Sequence, residues 1–271
     1  MFNRKCSMIG MVHLQPLPGA AAYAGKLDQI LSVGLDEAMT YKKNGFDAIM
    51  LENMHDAPFR KGYVDPETTA AMAVIASAIK KETKMPLGIQ LLAGANIECL
   101  GAAIASGADF IRVEGFVYAH VGDEGIHESS AAELIRRRWS LKAEHVKIYA
   151  DIKKKHSAHA ITDDISLVET ARAAEFFKAD GVIVTGAYTG DAPAFKDVET
   201  VKQNVGCHVL VGSGVDVQNV ESYMPWSDAI IIGSSMKVDG AWQNAIDNER
   251  VARFIERVRE LEQSSAARCA H

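Results

Sequence analysis

The chain predicts an α/β fold of a single domain, a closed (β/α)8 TIM barrel. Three observations carry this expectation. Eight short apolar runs alternate with helical patterns from one end of the chain to the other. Its 271 residues suit a barrel, which needs roughly 250. The last two apolar runs end in Gly-Ser-Gly and Gly-Ser-Ser, the chemistry of a phosphate-binding corner. Strict alternation implies a parallel sheet. A doubly wound open sheet is the competitor, but no G-x-G-x-x-G follows Val12, where its dinucleotide loop belongs.

The first strand covers residues 8–12, and the prolines of the following HLQPLPG loop keep that loop from becoming helix. A helix over 28–44 stops at Gly45, a left-handed C-terminal cap. The second strand is 47–51. Asp65-Pro66-Glu67 supplies an N-cap, a first-turn proline and a first-turn acid for a helix to about Lys84. The third strand, 87–91, leads to a short helix ending at Gly107, and the fourth is 109–113. Ser130 and Glu133 have the spacing of a capping box for a helix to about Glu144. The fifth strand, 146–152, precedes a helix over 164–179; the sixth, 182–185, precedes one over 197–205. The seventh, 208–211, and the eighth, 229–232, flank a short helical pattern opened by Asp216 and closed by Pro225. A last helix, 248–262, puts Val251, Phe254, Ile255, Val258 and Leu261 on one face. The barrel domain thus spans 1–263, and the tail 264–271 reads as disordered.

A net charge of −6 without a basic stripe argues against nucleic-acid binding. The cysteines Cys6, Cys99, Cys207 and Cys269 lack metal-ligand spacing and fit free thiols in a reducing compartment. No run is apolar enough to span a bilayer. The expected setting is cytoplasmic, with an organelle as the alternative, and homo-oligomerisation is left open.

Strand parity selects the candidate site. Phe110, Arg112 and Glu114 share one face of the fourth strand, and Tyr149, Asp151 and Lys153 share one face of the fifth. The opposite faces, with Ile111, Val113, Ile148 and Ile152, are apolar and should pack under helices, so the polar sets point inward. Glu52, Gln90 and Thr185 end other strands in the same sense, and His13, Asn53 and His156 follow strands on the mouth loops. An internal ion-pair layer explains any one of these residues equally well. The whole group is better explained by a site at the C-terminal mouth, where barrel enzymes place their chemistry. Glu52, Arg112, Glu114, Asp151 and Lys153 are the catalytic candidates; His13, Asn53, Gln90, His156 and Thr185 are the substrate-binding ones. Lys153 near Asp151 suits proton transfer or Schiff-base chemistry, whereas Lys154 and Lys155 read as solvated. Gly212, Ser213, Gly214, Gly233, Ser234 and Ser235 are the phosphate-binding candidates, with Lys237 as a further donor. No cofactor is expected, and His156 with His159 is too loose a pair to predict a metal.

The motifs GMVHLQPLPG, LENMHDAPF, FIRVEGF, ADIKKKHS, TGAYTG, VGSGV and IIGSSMK together resemble the BtpA family of barrel proteins over nearly the whole chain. The commoner bacterial pattern has an Asn-x-Leu-Arg-Asn-Asp stretch where this chain begins at Gln90, and an asparagine where Glu114 stands. Separately, VGSGVDVQNV is similar to the penultimate-strand loop of ribulose-phosphate-binding barrels such as phosphoribosylanthranilate isomerase. One branch of the BtpA family is linked to accumulation of photosystem I reaction-centre proteins.

The expected function is an enzyme acting on a small phosphorylated substrate, sugar- or ribose-derived, by isomerase- or lyase-type proton transfer. The alternatives are a non-enzymatic biogenesis or assembly factor, and a metal-dependent hydrolase using His13, Glu52, Asp151 and His156.

Overall fold

The computed structural model describes residues 4–269. The chain alternates β1 (Ser7–His13), α1 (Leu27–Asn44), β2 (Ala48–Glu52), α2 (Pro66–Thr83), β3 (Leu87–Gln90), α3 (Asn96–Ser106) and β4 (Phe110–Val113). A hairpin of β5 (His120–Gly122) and β6 (Gly125–His127) then precedes α4 (Ala131–Ser140). The remainder is β7 (Lys147–Ile152), β8 (Ser157–Ala158), α5 (Leu167–Phe176), β9 (Gly181–Val184), α6 (Phe195–Asn204), β10 (His208–Val211), α7 (Val220–Tyr223), β11 (Ala229–Ile232) and α8 (Asn248–Cys269). Strands β1, β2, β3, β4, β7, β9, β10 and β11 pair in that order, all parallel, and β11 pairs with β1 to close the barrel.

Parity divides the core into two layers. Ile9, Met11, Met50, Phe110, Tyr149, Ile183, Leu210 and Ile231 fill the barrel. Val12, Leu51, Ile111, Val113, Ile148, Ile152, Val184 and Ile232 pack outward against the helices, as alternation requires. The two internal rings, Phe110 and Tyr149, meet edge-on at 5.6 Å. Gly88 and Gly181 make room for them, because a Cβ at either would press into the neighbouring ring.

Two local expectations change, and two features are new. Ser130 does not close a capping box: its hydroxyl donates to the Gly115 carbonyl and accepts from Asn96. Ser166 and Glu169 form one instead, at the start of α5. The sequence did not suggest the hairpin, which joins β8 in a small antiparallel sheet at the mouth. Finally, the stretch expected to be disordered from residue 264 continues α8 to Cys269, and residues 270 and 271 lie outside the described ones.

Candidate active site

The C-terminal ends of the strands bring charged groups together under cover. Arg112, Glu114 and Asp151 are each less than a tenth exposed, as are Glu52, Gln90 and Lys154. Arg112 grips Asp151 with its Nε at 3.0 and 3.2 Å from the two carboxylate oxygens and its Nη2 at 3.0 Å from Oδ2. Burial raises the pKa of Asp151 and the guanidinium lowers it, and the bidentate geometry marks an ionised pair. Glu114 accepts from Lys154 Nζ at 3.1 Å and from Gln90 Nε2 at 3.5 Å.

Glu52 is different. Among the described residues, the one ion-pair-range partner of its carboxyl is His13 Nε2 at 3.5 Å. Burial pushes its carboxyl above the ordinary range, with Glu114 and Asp151 adding to the rise against Arg112 and Lys155. His13 is held well below its usual value by burial and by Lys237, so it is neutral at pH 7. A raised carboxyl beside a neutral imidazole favours the protonated acid more than an exposed glutamate does, which suits a group that gives and takes a proton.

The lysine assignment reverses. Lys153 follows the last residue of β7 with φ 46°, which breaks the alternation, and its Nζ donates to Thr162 O at 2.6 Å. It therefore leaves the barrel axis. Lys154 reaches Glu114, and Lys155 lines the mouth cavity together with His13, Glu52 and Arg112. Burial lowers the pKa of Lys155, and the Arg112 charge lowers it further against the nearby carboxylates. The Lys155 ammonium donates to Thr189 Oγ1 at 3.3 Å.

Three substrate-binding candidates have structural duties. Asn53 spends its amide on Asp56 and on the Leu92 N–H. Thr185 accepts from the backbone of Lys155. His156 is exposed and bonded to Thr189. His13 lines the mouth cavity, while Gln90 donates to Glu114 and its Oε1 is buried without a partner. Among the described residues, no group of three or more His, Cys, Asp or Glu side chains is placed to hold a metal ion. The hydrolase set is dispersed in function, with Asp151 on Arg112 and His156 on Thr189.

The glycine-serine loops stand beside this cluster. Gly212 gives space to Ile183, Thr185 and the Arg112 guanidinium, and Gly233 to His13 and Met11. Gly214 has φ 67°, and a Cβ there would collide with the backbone of Asp191 and Ala192, so only glycine fits. The hydroxyls are less free than expected. Ser235 donates to Val215 O, and Ser213 donates to Tyr188 O and accepts from Gly190 N–H. Lys237 is no anion donor, because it is buried and bonded to both Glu37 oxygens at 2.6 Å. In exchange, Arg250 and Arg253 of α8 join Gly214, Ser234 and Ser235 around a cavity of about 240 Å³. The N–H groups of Ser234 and Ser235 open a 3-10 turn and precede any partner within it. A signal for the arginines was present, since they stand three apart in the first turns of the last helix.

Fold and site together define a TIM-barrel protein with an enclosed, charged C-terminal mouth and an adjoining loop cavity lined by arginines. The chain belongs to the BtpA family, whose model matches residues 4–260. It is 42% identical over 259 residues to an uncharacterised mitochondrial protein of Caenorhabditis elegans, covering 94% of this chain and 93% of that one. It is 35% identical to the photosystem I biogenesis protein BtpA of a Synechocystis strain, covering 96% and 90%. Among solved structures it is similar in fold to the thiamine phosphate pyrophosphorylase of Pyrococcus furiosus, with TM-score 0.60, 13% identity, and 95% and 97% coverage. The phosphoribosyl anthranilate isomerase of Thermus thermophilus matches with TM-score 0.59, 13% identity, and 94% and 99% coverage. No helix among the described residues is long and apolar enough to cross a membrane.

Proposed function

We propose that this chain is an enzyme that acts on a small phosphorylated substrate, sugar- or ribose-derived, by isomerase- or lyase-type proton transfer. One observation carries the reading. Among the described residues the buried Glu52 carboxyl has no lysine or arginine within ion-pair distance, and it lines a cavity together with both glycine loops. An ion-pair layer kept for stability would leave no such carboxyl, since unpaired buried acids are costly. Barrels similar in shape bear the names of enzymes with phosphorylated substrates, which supports the same substrate class. In this reading Glu52 moves the proton. Arg112, oriented by Asp151, stabilises the negative charge that develops, and the phosphate rests on Gly214, Ser234 and Ser235 with Arg250 and Arg253. No step calls on a cofactor.

The test is a thermal-shift screen of phosphorylated sugars and nucleotides, followed by turnover of the best binder with wild type and Glu52→Gln. The variant keeps volume and polarity. Binding should persist while turnover falls by roughly a hundredfold or more, the loss expected for a general base. Unchanged turnover would remove Glu52 from the chemistry. Failure of every phosphorylated compound to bind would favour an assembly factor, the role in the name of the Synechocystis relative.

A further inference from the structure

We propose that Lys155 is a Schiff-base nucleophile, so that the substrate is a phosphorylated aldehyde or ketone bound through its free carbonyl. The inference rests on the functional reading above and extends it to covalent catalysis. Three lysines follow β7 in succession, and the structure gives each a different task. Lys153 is tied to Thr162 and Lys154 to Glu114. Lys155 has no carboxylate within ion-pair distance among the described residues; its Nζ meets only the neutral Thr189 hydroxyl. Its backbone N–H is fixed by Thr185, which anchors the side chain at the mouth. A lysine that serves structure is expected to be paired like its neighbour, or solvated.

Placement supports the same chemistry. Lys155 lines the cavity that holds Glu52 and Arg112, and this cavity shares Gly190, Gly214 and Ser234 with the arginine-lined one. A short ligand can therefore rest its phosphate on the outer side of those loops and present a carbonyl on the inner side. Burial, and the Arg112 charge nearby, favour the neutral amine that such an attack requires.

The step balances as follows. The neutral Nζ amine adds to the carbonyl carbon, the C=O π electrons move to oxygen, and one Nζ proton passes to that oxygen to give a neutral carbinolamine. Protonated Glu52 supplies a proton to that oxygen, which leaves as water as the protonated C=N bond forms. The Glu52 carboxylate then takes a proton from the adjacent carbon, with the electrons drawn toward nitrogen. Return of that proton and hydrolysis by the released water restore both side chains.

Borohydride trapping tests this directly. Protein is incubated with dihydroxyacetone phosphate or glycolaldehyde phosphate, reduced, and examined by intact mass and peptide mapping; unphosphorylated dihydroxyacetone serves as comparison. The expected result is a gain of one carbonyl compound less one oxygen, located at Lys155 and lost in Lys155→Arg, which keeps a long side chain of similar reach but cannot form the imine. Thermal melting of the variant, with and without inorganic phosphate, shows that fold and anion site survive. Adducts that persist in Lys155→Arg, or no adduct while phosphate still shifts the melting temperature, would overturn the proposal and leave the phosphate reading standing. Trapping at Lys155 by dihydroxyacetone, with no response to phosphate, would support the nucleophile and overturn the phosphate site instead.

Discussion

The Arg112–Asp151 contact shows how far one residue can be read from its neighbours. Both side chains are almost fully buried, at 3% and 1% exposure, so each charge depends on the other for the solvation it has lost. Asp151→Asn should cost roughly 3–5 kcal/mol in urea unfolding, because it leaves a buried guanidinium uncompensated. The pair Arg112→Met with Asp151→Leu should recover most of that loss. A cost below about 1 kcal/mol for Asp151→Asn would mean that water reaches the pair. For the same reason Asp151→Asn is a poor probe of chemistry, and Glu52→Gln a better one. Parity made the inward direction of Arg112, Glu114, Asp151 and Glu52 legible in the sequence, since in a strand it follows from geometry alone. It could not place the lysines. Lys153 adopts positive φ just beyond Ile152, and that single dihedral sends Lys153 away and brings Lys154 and Lys155 in.

At the scale of elements, the eight strand-helix units were legible because each barrel strand is apolar on its helix-facing side and glycines stop several of the helices. Gly45 and Gly107 close α1 and α3 in the left-handed conformation, as their positions suggested. The hairpin of β5 and β6 was not legible, because its strands of three residues are too short for a periodic signal. It carries a histidine cluster. The rings of His120 and His127 stack at 5.0 Å, and His159 lies 5.7 Å from His120. Burial pushes His120 from 6.5 down to about 3, and Lys154, His127 and His159 push in the same direction. A depressed histidine stabilises the fold above its unfolded pKa and withdraws that stability as pH falls toward the folded value. The hairpin should therefore loosen between pH 6.5 and 3. Hydrogen exchange, corrected for intrinsic rates, should show less protection of residues 120–127 at pH 5 than at pH 7, with the difference reduced in His120→Gln. Equal protection at both values would contradict the linkage.

On the scale of the whole molecule, the ends of the chain complete both barrel and site. β11 pairs with β1, and Lys237 after β11 bonds to Glu37 in α1 across 200 residues of sequence. α8 delivers Arg250 and Arg253 to the loops after β10 and β11. Sequence alone showed the loops but overstated their hydroxyls and Lys237, because their internal partners are distant along the chain. The central claim is that a phosphate group anchors on this face, beside Glu52 and Lys155. A crystal structure of the protein soaked in inorganic phosphate tests it most directly. The anion is expected within hydrogen-bond reach of the Gly214, Ser234 and Ser235 N–H groups and of Arg250 or Arg253. Phosphate held instead at the N-terminal face of the barrel, with that loop cavity filled only by water, would contradict it.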